Sequence, residues 1–331
     1  MSELYPLKFE PILKEKIWGG HALVNEFGKP GDGTSKIGES WEVSAVADNL
    51  SVISNGFLAG NNIEEIIEVY MGDITGDFVF DKFGHEFPLL IKFIEATDDL
   101  SIQVHPGNEL ARERHGAYGK TEMWYVLQSE KDSRIYTGFS KPVTREQYTN
   151  ALSNNTIADL LNSEHPEAGD VFFTPAGRVH AIGAGNVIIE IQQTSDITYR
   201  IYDWGRKGKD GKPRELHIGL ALDAIDFTAS GKNGKHISAS LNETENLAKC
   251  DFFTSNILRF DKTIERDYYH LDSFVICICT EGRFSLHWDK SSETVSKGET
   301  LLIPSSLNNV IFKPDPGATM LEIYIEQPDT H

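Results

Sequence analysis

The chain reads as a mainly β protein built from two related β-barrels in tandem. Three features predict this: many short apolar runs punctuated by Gly and Pro, few helical periodicities, and a weak internal repeat. The runs LSVIS, FPLLIKFIEA, LSIQVHP, MWYVLQ, DVFFTP, NVIIEIQQ, FVICICT, ETLLIP and LEIYIE all have strand length and composition. The repeat matches Gly169-Asp-Val-Phe-Phe-Thr-Pro175 with Gly298-Glu-Thr-Leu-Leu-Ile-Pro304. Each copy has a Gly, an acid, strand formers and a closing Pro, and an apolar strand (MWYVL or FVICICTEG) lies upstream.

Three helices punctuate the strands. Asn62 caps a helix over 63–71, where Ile63, Ile66, Ile67 and Tyr70 keep helical spacing and Glu64 and Glu65 occupy the first turn. Thr144-x-x-Gln147 is a capping box opening a helical excursion over about 144–162, inserted in the first barrel. A third helix over 215–225, ELHIGLALDAI, is apolar on most of its surface and is expected to pack under the sheets. The segment 108–118, NELARERHGAY, reads as a connecting loop.

The polar, turn-rich stretch 228–246 marks the expected boundary between units. Residues 1–230 then form the first domain and 245–331 the second. The copies differ in chemistry. With the prolines aligned, His180 of PAGRVH falls opposite Asn309 of PSSLNN, and the second copy has no counterpart to His105 and Glu122. The first barrel is therefore expected to carry the chemistry, and the second to be a degenerate barrel without metal ligands.

With 331 residues, 40% of them hydrophobic, the chain can bury a sizeable core, and no run approaches a membrane span. The formal charge of −19 argues against nucleic acid or an anionic membrane as partner. Three cysteines give no disulfide framework; Cys277 and Cys279 share a strand face as small buried hydrophobes. The N-terminus is interrupted by charges and has no signal-peptide core, so a cytoplasmic protein is expected. One island departs from the acidic balance. Residues 200–217 hold six Lys/Arg against three Asp/Glu, read either as a solvated loop (Lys207, Lys209 and Lys212 above all) or as a local attraction for an anionic substrate.

Side-chain alternation puts Ser101, Gln103 and His105 on one strand face and Ile102 and Val104 on the other. Glu122 opens the next apolar run and His180 follows the Pro175 turn. Two imidazoles, a carboxylate and an amide oxygen from different strands form a reasonable shell for a divalent metal. Each residue also has an ordinary reading: a hydrogen-bonded rim histidine, or an exposed carboxylate where a strand starts. Gln103 is harder to dismiss, because a buried amide needs partners. On the strand IIEIQQ, Ile188, Glu190 and Gln192 share a face, so either a carboxylate is buried or that face lines a cavity. Arg200 reads equally as a structural ion-pair partner or as part of a site.

Four motifs in order carry a resemblance: Leu100-Ser-Ile-Gln-Val-His-Pro106, Gly119-Lys-Thr-Glu-Met-Trp-Tyr125, Pro175-Ala-Gly-Arg-Val-His-Ala-Ile182, and Glu190-Ile-Gln-Gln through Tyr-Arg-Ile-Tyr-Asp203. With Ile17-Trp-Gly-Gly20, Gly38-Glu-Ser-Trp-Glu42 and Arg214-Glu-Leu-His217, the chain resembles the short bacterial form of the type I mannose-6-phosphate isomerases over nearly its whole length. The resemblance implies tandem cupin-type (jelly-roll) barrels and one Zn2+ per chain, held by Gln103, His105, Glu122 and His180. It implies interconversion of mannose 6-phosphate and fructose 6-phosphate through a cis-enediol. It further implies catalytic roles for Arg200 and Lys120 and a substrate-phosphate contact for Ser101, with Glu190 also at the substrate. The proton-transfer base stays open among Lys120, Glu190 and a zinc-bound water. The expected partner is a small sugar phosphate, with no nucleic acid or membrane, and the chain acts as a monomer or homodimer. Two other readings fit the same shell: an Fe(II) cupin oxygenase, and a phosphosugar-binding cupin without turnover.

Overall fold

The computed structural model describes residues 4–208 and 211–327. Lys209 of the basic island lies outside them. Seven antiparallel strands form a large sheet in the order Ile12–Gly20, Ile37–Val43, Leu89–Ala96, Asn186–Gln193, Glu122–Ser129, Asp170–Thr174, Gly234–His236. A five-stranded sheet faces it: Tyr199–Tyr202, Ile102–Val104, His180–Ile182, Ile135–Phe139, Leu161–Glu164. Between them lies a core that includes Trp18, Ile94, Trp124, Phe172, Ile182 and Ile188.

The central strand Leu89–Ala96 is buried on both faces, which explains its near-continuous apolar sequence. Leu89, Ile91 and Phe93 point away from the barrel interior, into a cluster shared with Ile276, Ile278, Leu302 and Leu321 of the C-terminal half. Lys92 and Ile94 point inward. The outer face of the small sheet is covered by the helices Arg145–Ser153 and Ile218–Ala224, through Tyr148, Phe139, Ile201 and Ala221.

The C-terminal strands run in the order Thr244–Lys249, Thr254–Phe260, Asn309–Tyr324, Val275–Trp288, Ser291–Ser296, with Ile264–Asp267 and Thr300–Ile303 paired alongside. Gly234–His236 still pairs with Asp170–Thr174, whereas Thr244–Lys249 pairs only within the second group. Cys277 and Cys279 are buried among apolar neighbours, as expected.

The repeat seen in sequence is a repeat of hydrogen bonds. Gly169 N–H donates to Val126 O at 2.9 Å, and Gly298 N–H to Cys279 O at 2.8 Å. The acid after each glycine accepts from the backbone three residues earlier, Asp170 from Glu167 and Glu299 from Ser296. Both glycines have positive φ, +93° and +86°. Strand register then aligns Glu122, opposite Thr174, with Val275, opposite Ile303. The position of Glu122, expected as a metal ligand, is thus a valine in the second copy, and the His180 position becomes the exposed Asn309.

Helix limits were read well where capping chemistry is explicit. Asn62 and Glu65 form a capping box on Ile63–Tyr70, and Thr144 and Gln147 form one on Arg145–Ser153. Three expectations need correction. The excursion over 144–162 is a helix to Ser153, a 3-10 turn at Ile157–Leu160, and then a strand from Leu161. The third helix starts only at Ile218, because His217 bonds the Arg200 backbone in both directions. It packs against the small sheet through Ala221, as expected, but leaves Leu216, Ile218 and Leu220 exposed on its other side. The loop over 108–118 is mostly helix, Asn108–His115, ended by Gly116 at φ +63°. Its only buried residue is Ala111, so it carries almost no hydrophobic periodicity, and side-chain bonds such as His115 to Tyr199 (2.8 Å) hold it.

Gly298 meets the N-terminal half closely: a Cβ there would stand 2.1 Å from Phe27 O. Gly298→Ala is expected to cost more than about 2 kcal/mol, combining left-handed strain with a backbone clash. Gly28→Ala, at φ +64° with open space around it, is expected to cost only about 1 kcal/mol. Urea denaturation of both variants checks the ordering.

Candidate active site

Four strands and one loop converge at one end of the sandwich. His180 is the register partner of Gln103, and Glu190 of both Lys92 and Trp124. Because strands alternate faces, Gln103, Glu122, His180 and Glu190 all turn inward. The carboxylate of Glu122 ends 3.5 Å from His105 Nε2 and 3.3 Å from His180 Nε2. All three residues are buried, and their ligand atoms lie within 4.8 Å of one another.

The imidazoles are oriented from behind. His105 Nδ1 lies 2.8 Å from Ile197 O, and His180 Nδ1 lies 2.8 Å from Arg178 O. A carbonyl can only accept, so each Nδ1 carries the proton and each Nε2 offers its lone pair to the cluster. Burial, and then Lys120 and the neighbouring imidazole, hold His105 far below the usual histidine range. Burial pushes His180 down to about 3. Both are neutral, the form a metal requires.

Neither oxygen of Glu122 accepts an aligned hydrogen bond, although Lys120 Nζ lies 2.9 Å from Oε2. Burial raises the Glu122 pKa, opposed by Lys120 and aided by Glu190. A buried carboxylate between two neutral imidazole lone pairs is a donor set that fits a divalent cation. Gln103 adjoins the set, but its amide nitrogen, not its oxygen, faces His180 Nε2 at 3.3 Å. The expected amide-oxygen ligation therefore requires the amide to be turned over, which its contact with Ser101 (Oγ to Oε1, 3.5 Å) does not resist.

Next to the cluster lies a cavity of about 470 Å³. Ser101, Gln103, Lys120, Glu190 and Arg200 all line it, so the expected substrate-side residues do come together. Glu190 bonds Lys92 Nζ and Trp124 Nε1, each at 3.0 Å. Burial would raise its pKa, but Lys120 and Lys92 outweigh that and keep it below the usual carboxylate range. Lys120 also sits 3.2 Å from His105 Nε2. Burial opposes its charge, yet Glu122 and Glu190 raise its pKa, so it stays an ammonium. Among the described residues Arg200 has no carboxylate partner; one guanidinium N–H donates to Glu215 O, and its buried Nε is unpartnered.

The sequence reading missed Lys14, Lys16, Trp18, Glu39, Trp41 and Lys92 as cavity residues. Two signals could have found them. Lys92 stands in the middle of an apolar run, and Lys14, Lys16 and Trp18 alternate along one strand just as Ser101, Gln103 and His105 do. The cavity lining holds six Lys/Arg against three Asp/Glu. The basic island contributes less than expected. Lys207 and Lys212 are exposed, and Arg206 is bound by Asp203 and Asp98.

Comparison with known proteins supplies the family. The phosphomannose isomerase type I catalytic domain family matches residues 6–133. The mannose-6-phosphate isomerase of Bacillus subtilis is 33% identical over 308 residues, covering 91% of this chain and 94% of that protein. The mannose-6-phosphate isomerase of Streptococcus mutans is 32% identical, covering 94% and 96%. The crystal structure of a Bacillus subtilis mannose 6-phosphate isomerase superposes with a TM-score of 0.86 at 28% identity, covering 97% of this chain and all of that one. A phosphomannose isomerase mutant from Salmonella typhimurium has the same fold, with a TM-score of 0.79 at 18% identity, covering 98% and 100%. Relatives matched over nine-tenths of both chains, with one fold throughout, make this chain a member of the type I mannose-6-phosphate isomerase family.

Proposed function

We propose that the chain interconverts mannose 6-phosphate and fructose 6-phosphate through a cis-enediol(ate), with one Zn2+ held by His105, Glu122, His180 and the turned amide of Gln103. The observation that carries this reading is the His–Glu–His cluster beside a cation-rich cavity, in a chain whose formal charge is −19. Bound there, the metal supplies Lewis acidity toward the carbonyl and hydroxyl oxygens at C1 and C2.

The chain's own residues do the rest. Moving a proton between C1 and C2 needs an acceptor on one face and positive charge near the oxygens. Glu190 is ionised, lies 4.0 Å from Lys120 Nζ, and is assigned the acceptor role ahead of Lys120 and a zinc-bound water. Lys120 holds its proton and can lend it to a developing oxyanion. Arg200, with its unpartnered Nε, supports negative charge at the same end, since it is the register partner of Gln103. Ser101 supplies a hydroxyl to the substrate. The reading also assigns the chemistry to residues 1–230 and a structural role to 245–331, where Val275 and Asn309 replace the ligands. The partner is a small sugar phosphate, met in the cytoplasm by a monomer or homodimer. No described helix is long and apolar enough to cross a membrane.

The decisive test is a coupled assay with mannose 6-phosphate before and after zinc loading. Turnover that chelation abolishes and zinc restores supports the reading. Stoichiometric iron with oxygen uptake, or sugar-phosphate binding without turnover, removes it. His105→Ala and Glu122→Ala are each expected to lose bound metal and at least about a hundredfold in activity, read by metal analysis and steady-state rates. Arg200→Ala is expected to keep its metal while kcat/KM falls by about 100-fold or more. Full turnover in Arg200→Ala would refute its assignment.

A further inference from the structure

The cations around the cavity are unevenly matched. Lys16 meets Glu39 at 3.0 Å, Lys92 meets Glu190 at 3.0 Å, and Lys120 meets Glu122 at 2.9 Å. Arg214 is forked onto Asp203, its Nε 2.7 Å from Oδ2. Among the described residues, Lys14 and Arg200 are the two lining cations with no carboxylate within ion-pair distance. An incoming anion gains most from such groups, because it displaces no existing partner.

The two stand on different walls. Arg200 belongs to the edge strand of the small sheet, beside Gln103 and the metal-ligand cluster. Lys14 belongs to the edge strand of the large sheet, Ile12–Gly20, three strand spacings from the strand of Glu190. That is on the order of 14 Å of curved sheet. A sugar reacting at one end of its carbon chain and charged at the other needs such a separation between reacting groups and anion anchor.

Lys14 is also held in place. Its Nζ donates to Asn49 Oδ1 and stands 4.7 Å over the ring of Trp41, which also lies under Lys92 at 5.1 Å. The amide takes one of its three protons, and the ring restricts the lysine stem without neutralising its charge.

We propose that Lys14 anchors the phosphate of the substrate and makes the cavity select phosphorylated over free sugars. This rests on the sugar-phosphate reading above and adds a specificity residue to it. Asn49 and Trp41 act through Lys14 as positioning residues.

The experiment compares the metal-loaded full chain with its Lys14→Ala and Lys14→Arg variants. For Lys14→Ala, KM for mannose 6-phosphate is expected to rise about tenfold or more while kcat stays within about twofold. Competitive inhibition by inorganic phosphate should weaken by a similar factor, and Lys14→Arg should recover most of both. Unchanged KM and unchanged phosphate inhibition in Lys14→Ala would overturn the proposal, as would a fall in kcat alone. Thermal melting of the variants guards against misfolding. If the wild type does not turn over mannose 6-phosphate, the reaction reading fails by itself. Calorimetric titration of inorganic phosphate into wild type and Lys14→Ala then still reads the anchor: equal affinity refutes it, weakened affinity supports it.

Discussion

The carboxylate of Glu122 sets the terms for the first barrel. It is fully buried, it faces two neutral imidazoles, and it has no aligned hydrogen-bond donor. Such a group is tolerated only where positive charge comes close. The chain brings one charge itself, the Lys120 ammonium, and the imidazole lone pairs on the opposite side of the carboxylate suit the proposed cation. The carbonyls of Ile197 and Arg178 fix those lone pairs, so the connection between Gln193 and Tyr199 and the turn before His180 are as much a part of the centre as the imidazoles. Glu190 shows the contrasting case: with Lys92, Lys120 and Trp124 around it, an equally buried carboxylate is stabilised in its charged form.

The C-terminal half gives this arrangement a rigid back. The large sheet shows its ligand-bearing face to the cavity and its apolar face to Ile276, Ile278, Leu302 and Ile323. Lys29, ion-paired with Glu42 at 2.8 Å on the N-terminal side, crosses the junction by donating to Gly298 O. The matching hydrogen bonds of the two Gly–acid turns point to one ancestral unit used twice, once with ligands and once with Val275 in the position of Glu122. The interior of the second half is filled by Phe260, Phe284 and Phe312.

The sequence revealed much of this where local chemistry is explicit. Capping boxes at Asn62 and Thr144, strand alternation at 101–105, and the paired turns at Gly169 and Gly298 all encode their structure within a few residues. It revealed little where context decides. The helix Asn108–His115 buries one alanine, so periodicity could not announce it. The exposure of Leu216, Ile218 and Leu220 contradicts their composition. Lys14, Lys16 and Trp41 reach the cavity only because Ile12–Gly20 pairs with Ile37–Val43, which pairs in turn with Leu89–Ala96, as in Trp41 opposite Lys92. The charge of the cavity lies in that pairing rather than in the basic island at 200–217, where Lys207 and Lys212 are exposed and Arg206 and Arg214 are bound by acids.

Anomalous diffraction at the zinc edge, from crystals of the zinc-loaded chain, reads directly whether the Glu122 carboxylate holds a metal. The account predicts one strong peak per chain at bonding distance, about 2.0–2.2 Å, from His105 Nε2, His180 Nε2 and a Glu122 oxygen, with the Gln103 amide turned to present its oxygen. No peak there, or the dominant peak elsewhere, such as at His236 and Asp170, would contradict it.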